Sequence, residues 1–135
     1  MVHFTERSSW RGSSGDRYDY HVLPLGFLAK NVLGNYIFAR RNALGRWDAV
    51  YVGQGLLRAD ISDHFLGREI RDKAVTHVHF RENPIESARR IEMADILDGN
   101  PEAYAPEGCN PPPVHDVPGH VNSVDLASMA MWRLR

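Results

Sequence analysis

Between Gly34 and Gly53 the chain reads GNYIFARRNALGRWDAVYVG. Two runs of β-branched and aromatic residues flank a polar connection that carries Asn42 and Gly45, which is the pattern of a β-hairpin. Period-2 alternation puts Tyr36, Phe38 and Arg40 on one face of the first strand and Asn35, Ile37 and Ala39 on the other. On the second strand Ala49, Tyr51 and Gly53 share a face. Val75–Arg81 alternates in the same way and reads as a third strand, with His77, His79 and Arg81 on one side and Val78 and Phe80 on the other. Ile61, Phe65 and Ile70 give a short amphipathic helix at about 60–72, started by Asp60 or Ser62. After the third strand, Asn83 as N-cap, Pro84 at the first position and Glu86 at the third predict a helix near 84–98, ended by Gly99 and Pro101. Ile85, Ala88 and Ile96 lie on one face of it, and Glu92 interrupts that face. A carboxylate in an apolar stripe is expensive to bury unless it is paired or holds a cation. By spacing alone the simplest account of Glu92 is an ion pair with Arg89 or another cation.

The flanks are less patterned. Residues 1–19 are rich in Ser, Gly and Arg and read as a mobile arm, with Trp10 and Tyr18 available to dock on a partner. The apolar stretch 19–33 turns at Pro24 and Gly26 and packs on one side of the hairpin. Residues 20–110 then form the domain proper, α+β in class, with three antiparallel strands near 34–40, 47–53 and 75–81. Residues 111–135 are an extension that opens on Pro111-Pro112-Pro113. Within it Ser123–Arg135 places Val124, Ala127, Met131 and Leu134 on one helical face. That face closes the core or, as the alternative, makes a homodimer contact.

Composition narrows the class. At 135 residues the chain makes one domain, and 43% hydrophobic residues is ordinary for a globular protein. It contains no apolar run long enough for a membrane span and no secretory leader at its N-terminus. Cys109 is the single cysteine, so no intrachain disulfide forms; together these features point to the cytoplasm. The formal charge of −1 argues against a tight, charge-driven nucleic-acid binder and leaves room for a local basic patch.

The order of residues adds a resemblance. Gly34-Asn35-Tyr36 followed by Tyr51-Val52-Gly53 resembles the paired tripeptides of the GIY-YIG nuclease family. The later run, Glu92 with Ile96 and Pro101 and, further on, Asn110, is similar to that family's glutamate helix and terminal asparagine. His64 fits its helical histidine. The resemblance spans about residues 34–110 and implies a small three-stranded antiparallel sheet flanked by helices. It breaks at one position: one turn before His64, where the family carries arginine, stands Asp60. Either Arg58 supplies the missing guanidinium through a shortened loop, or the site has lost it; Arg68 lies one turn beyond His64.

What the resemblance implies is metal-dependent hydrolysis of a phosphodiester in DNA or RNA. Such a reaction needs a base for water, a cation for phosphate charge and stabilisation of the leaving oxygen. Glu92 would hold Mg²⁺ or Mn²⁺, Tyr36 would be the base, and Tyr51 and His64 would orient water or phosphate. Gly53 and Asn110 would complete the substrate site. A tyrosine with an ordinary pKa of about 10 needs nearby cations to act as a base. The competing reading is a degenerate relative that binds nucleic acid or a protein partner without cutting. Asp60 and the near-neutral charge favour it; the tyrosines, His64, Glu92 and Asn110 favour the nuclease, which ranks first on sequence. His115, Asp116 and His120 have metal-capable side chains in a proline-rich loop with no cysteine set. His77 and His79 read as a polar sheet face. There is no Walker loop, dinucleotide fingerprint or serine-nucleophile elbow.

Overall fold

The computed structural model describes residues 6–113. In chain order the elements are β1 (Arg7–Arg11), β2 (Arg17–Pro24), β3 (Leu33–Arg41), β4 (Trp47–Leu56), α1 (Leu57–Leu66), α2 (Arg68–Asp72), β5 (His77–Glu82) and α3 (Glu86–Gly99), then a 3-10 turn at Pro101–Ala103. The α+β class is as expected. The sheet differs: it has five strands, in the order β1-β2-β5-β3-β4, with every neighbouring pair antiparallel. The three expected strands form its contiguous part β5-β3-β4, and a hairpin from the N-terminal segment extends it along the other side of β5.

Within the stretch read as a mobile arm, residues 7–11 and 17–19 are strand instead. The Ser/Gly-rich stretch at 12–16 is the turn of this hairpin, closed by Gly12 N–H to Asp16 O at 2.9 Å. Alternation in β1 and β2 sends Trp10 and Tyr20 into the core. The turn is fastened to α3 by Asp95. Its carboxylate accepts from Ser14 N–H at 2.8 Å, Ser14 Oγ at 2.6 Å, Ser13 Oγ at 3.1 Å and Tyr18 Oη at 2.8 Å.

The β3–β4 hairpin forms as read. Asn42 Oδ1 accepts the backbone N–H groups of Leu44 and Arg46, and Gly45 takes a positive φ of 76°. One residue of β4 is bulged opposite Phe38 and Ala39. Ala49 and Tyr51 therefore do not share a face: Ala49 packs with Ile37 and Val52, Tyr51 with Tyr36 and Phe38. The helix expected over 60–72 is two helices, because Gly67 is extended between α1 and α2. The third strand starts later than Val75, after Ala74 in a left-handed conformation with φ 56°. The capping box is also absent. Ile85 precedes α3 in an extended conformation and stays exposed, and Asn83 turns inward.

Both faces of the sheet are covered, which is why β3 is buried from Gly34 to Ala39. On one face α1 and α2 pack over Tyr36, Phe38, Val50 and Val78. On the other, α3 brings Met93, Ile96 and Leu97 onto Trp10, Tyr20, Ile37 and Val52. The outer edge of β4 is closed by the segment after α3. Cys109 N–H donates to Val50 O at 2.8 Å, and Asn110 both accepts from Val52 N–H at 2.8 Å and donates to Val52 O at 2.9 Å. Among the described residues no helix is long and apolar enough to cross a membrane. The terminal helix expected at Ser123–Arg135, its homodimer alternative, and the histidines His115 and His120 lie outside the described residues.

Candidate functional site

Tyr36, Tyr51 and His64 come together on the α1 side of the sheet. Tyr36 and Gly53 are register partners on β3 and β4. A Cβ at Gly53 would sit 2.4 Å from the Cζ of Tyr36, so the glycine is what lets the phenol lie flat on β4. The Tyr51 and His64 rings are 4.4 Å apart, and Tyr36 stands 6.2 Å from Tyr51 and 6.0 Å from His64. Asp60 reaches the same group from α1, its carboxylate lying over Gly55.

The charges around Tyr36 are acidic. Burial pushes the Tyr36 phenol well above its ordinary value, and Tyr51, Asp60 and Asp63 push it further. Its charged neighbours are acids, where the expected mechanism asks for cations. Burial lowers the His64 pKa, with Asp60, Asp63 and Glu69 opposing, so the ring is neutral near pH 7. Burial raises the Asp60 carboxyl, with His64 opposing. Arg58, the alternative source of the implied guanidinium, donates its Nε to Ala29 O at 3.0 Å, in the connection between β2 and β3. Arg68 is exposed at the mouth of a cleft of about 610 Å³ that Tyr51, Asp63, His64, Glu69 and Asn110 also line. Asn110 is fully buried, and its amide is engaged by both the N–H and the C=O of Val52.

Glu92 stands on the other side of the sheet. The expected cluster of Tyr36, Tyr51 and Glu92 does not form, because Tyr36 points toward α1 while its neighbour Asn35 points toward α3. Only 3% exposed, Glu92 accepts from Tyr20 Oη at 2.5 Å and from Asn83 Nδ2 at 3.4 Å, and Arg81 Nε lies 3.3 Å from the same oxygen as Asn83. Burial raises its pKa, with the Tyr20 hydrogen bond and Arg81 opposing. Arg89, which spacing offered as its cation, is engaged elsewhere. Its Nε donates to Gln54 Oε1 at 2.9 Å and its guanidinium to Asn83 O at 3.0 Å. Asn35 ties the group together, donating to Arg89 O at 2.9 Å and accepting from Asn83 Nδ2 at 3.0 Å.

Sequence reasoning missed Tyr20, Asn83 and Arg81 as partners of Glu92, and it missed a second buried polar centre around His79. His79 is fully buried, with Trp10 Nε1 donating to its Nδ1 at 2.9 Å and Ser8 Oγ 2.6 Å from the same nitrogen. Alternation does place His79 and Arg81 on one face of β5. What the sequence hid was that a hairpin and a helix would cover that face. Comparison of the chain with family models, with curated proteins and with solved structures finds no match.

Proposed function

We propose that this chain is a GIY-YIG-like module that binds a protein partner and does not cut nucleic acid. The observation that carries this reading is the separation of the two halves of the implied site. The Tyr36, Tyr51 and His64 group lies under α1, and Glu92 lies under α3 in contacts of its own. A phosphate held at one group is not within reach of the other, so positioning, the main source of phosphodiester catalysis, is lost. Among the described residues, the charged groups that line the cleft beside Tyr51 and His64 are Asp63, Glu69 and Arg68, with Asp60 nearby. That balance repels a phosphate backbone and suits a basic segment of a protein, with Tyr51 as an aromatic platform for a cationic side chain. The test is hydrolysis of plasmid, single-stranded DNA and RNA by the full chain in Mg²⁺ or Mn²⁺, against EDTA, for wild type and Asp60→Arg. Neither protein is expected to cut. Metal-dependent cutting by wild type that is abolished by Glu92→Ala or Tyr36→Phe would overturn the proposal.

A further inference from the structure

A buried carboxylate needs a cation or a proton, and two candidates exist for the cation at Glu92: a divalent ion, as the family resemblance implies, or a group of the protein itself. A Mg²⁺ or Mn²⁺ ligand must turn a lone pair outward to an ion that keeps several waters. The groups around Glu92 do not fit that demand. Tyr20 Oη and Asn83 Nδ2 both present hydrogens to the carboxylate, one to each oxygen. The third neighbour, the Arg81 guanidinium, is itself a cation 3.3 Å away. Arg81 is placed by the sheet: it stands on β5, in register with Asn35 on β3, and its guanidinium also lies 6.0 Å from the Tyr18 ring of β2. Its side chain is 41% exposed, so it runs from the buried oxygen to the surface. The N-terminal hairpin supplies Tyr20 to the other oxygen, a contact that the three strands of the resemblance alone do not contain.

From this arrangement we infer that Arg81 is the resident cation of Glu92, and that the glutamate is closed to divalent metal by Arg81 and Tyr20. This goes beyond the binding reading: a protein that cut nucleic acid with a metal held elsewhere would leave it standing, and so would the failure of the cleft to bind any partner.

The experiment uses the full chain, labelled with ¹⁵N, and MnCl₂ as the probe. Paramagnetic broadening of the backbone amides of residues 91–93 and of Tyr20 is compared between wild type and Glu92→Gln. Equal broadening is expected in both; broadening in wild type that Glu92→Gln removes would overturn the inference. A double-mutant cycle on the urea midpoint reads the ion pair itself. Arg81→Gln is expected to lower the midpoint in the wild-type background, and to lower it by less than half as much once Glu92 is Gln. The same fall in both backgrounds would show that Arg81 does not serve Glu92 and would also overturn the inference. Glu92→Gln keeps the shape and an acceptor for Tyr20, so the cycle reads charge rather than lost packing.

Discussion

Acid should loosen this protein through His79. The indole of Trp10 can only donate, so the Nδ1 that it meets at 2.9 Å must accept, and the ring proton resides on Nε2. Trp47 meets the imidazole edge-to-face at 4.5 Å, and the guanidinium of Arg41 lies 4.0 Å from the centre of the Trp47 ring. Protonation would put a second hydrogen on Nδ1, directed at the donor of Trp10, in a site that already faces Arg41 and His77. Burial, with His77 and Arg41 adding to it, lowers the pKa from 6.5 to about 3. The unfolded chain therefore binds a proton below pH 6.5 that the folded chain refuses until about pH 3. Stability from this residue is complete above the unfolded value and is lost as pH falls through that window. Between pH 7 and pH 5 the linkage relation gives a loss of about 2 kcal/mol. The assay is urea unfolding at pH 7, 6 and 5, followed by tryptophan fluorescence, for wild type and His79→Asn. Asn offers an acceptor where Nδ1 stood and has no proton to gain. The difference in stability between the two proteins should shrink by about 2 kcal/mol over this range. Parallel pH dependences would refute a ring that stays neutral in the folded chain down to pH 5.

Two further outcomes test how the sheet is held. Asp95→Ala should lower stability by about 1–2 kcal/mol, the net of several charge-assisted hydrogen bonds discounted for exposure. It should also raise amide exchange in residues 12–18; burial opposes, but the Ser14, Tyr18 and Ser13 donors hold the carboxyl at about 2, so the full effect is present at pH 7. Asn110→Ala should cost about 2–3 kcal/mol, because it strips partners from both the N–H and the C=O of Val52 at a buried edge; a loss below about 0.5 kcal/mol in urea unfolding would show that water replaces the amide.

What the sequence disclosed was local, and what it concealed was contact at long range. The β3–β4 hairpin was legible because its turn chemistry, Asn42 and Gly45, and its alternation agree within twenty consecutive residues. The first hairpin was not. Its turn has the composition of a disordered tail, and the residue that orders it, Asp95, lies on α3. The α3 start was misread for a related reason. Asn83 has the right chemistry for an N-cap, yet Asn35 and Glu92 compete for its amide from β3 and α3, and a buried network outbids a cap worth about 1 kcal/mol. The bulge in β4 gave no sequence signal at Val50, so the face of Ala49 was assigned from strict alternation.

The same distinction governs the candidate site. Motif spacing placed Tyr36, Tyr51, His64 and Glu92 on the correct elements, because spacing along a strand or helix fixes which element a residue occupies. It could not fix which side of the sheet the glutamate helix covers. That choice depends on where α3 finds an apolar surface, and β1 and β2 enlarge the surface on its side with Trp10 and Tyr20. Once α3 lies there, Glu92 at its buried face meets Tyr20 and Arg81, whereas Tyr36 remains under α1 with Asp60 in the position of the implied arginine. The two departures from the resemblance have compatible signs. An acid stands where a phosphate clamp is implied, and an arginine stands where a metal ion is implied. Restoring one alone therefore leaves the other half of the site unsuited to a phosphodiester. This is why Asp60→Arg, which supplies the guanidinium but leaves Glu92 paired with Arg81 across the sheet, is expected to bring back no cutting.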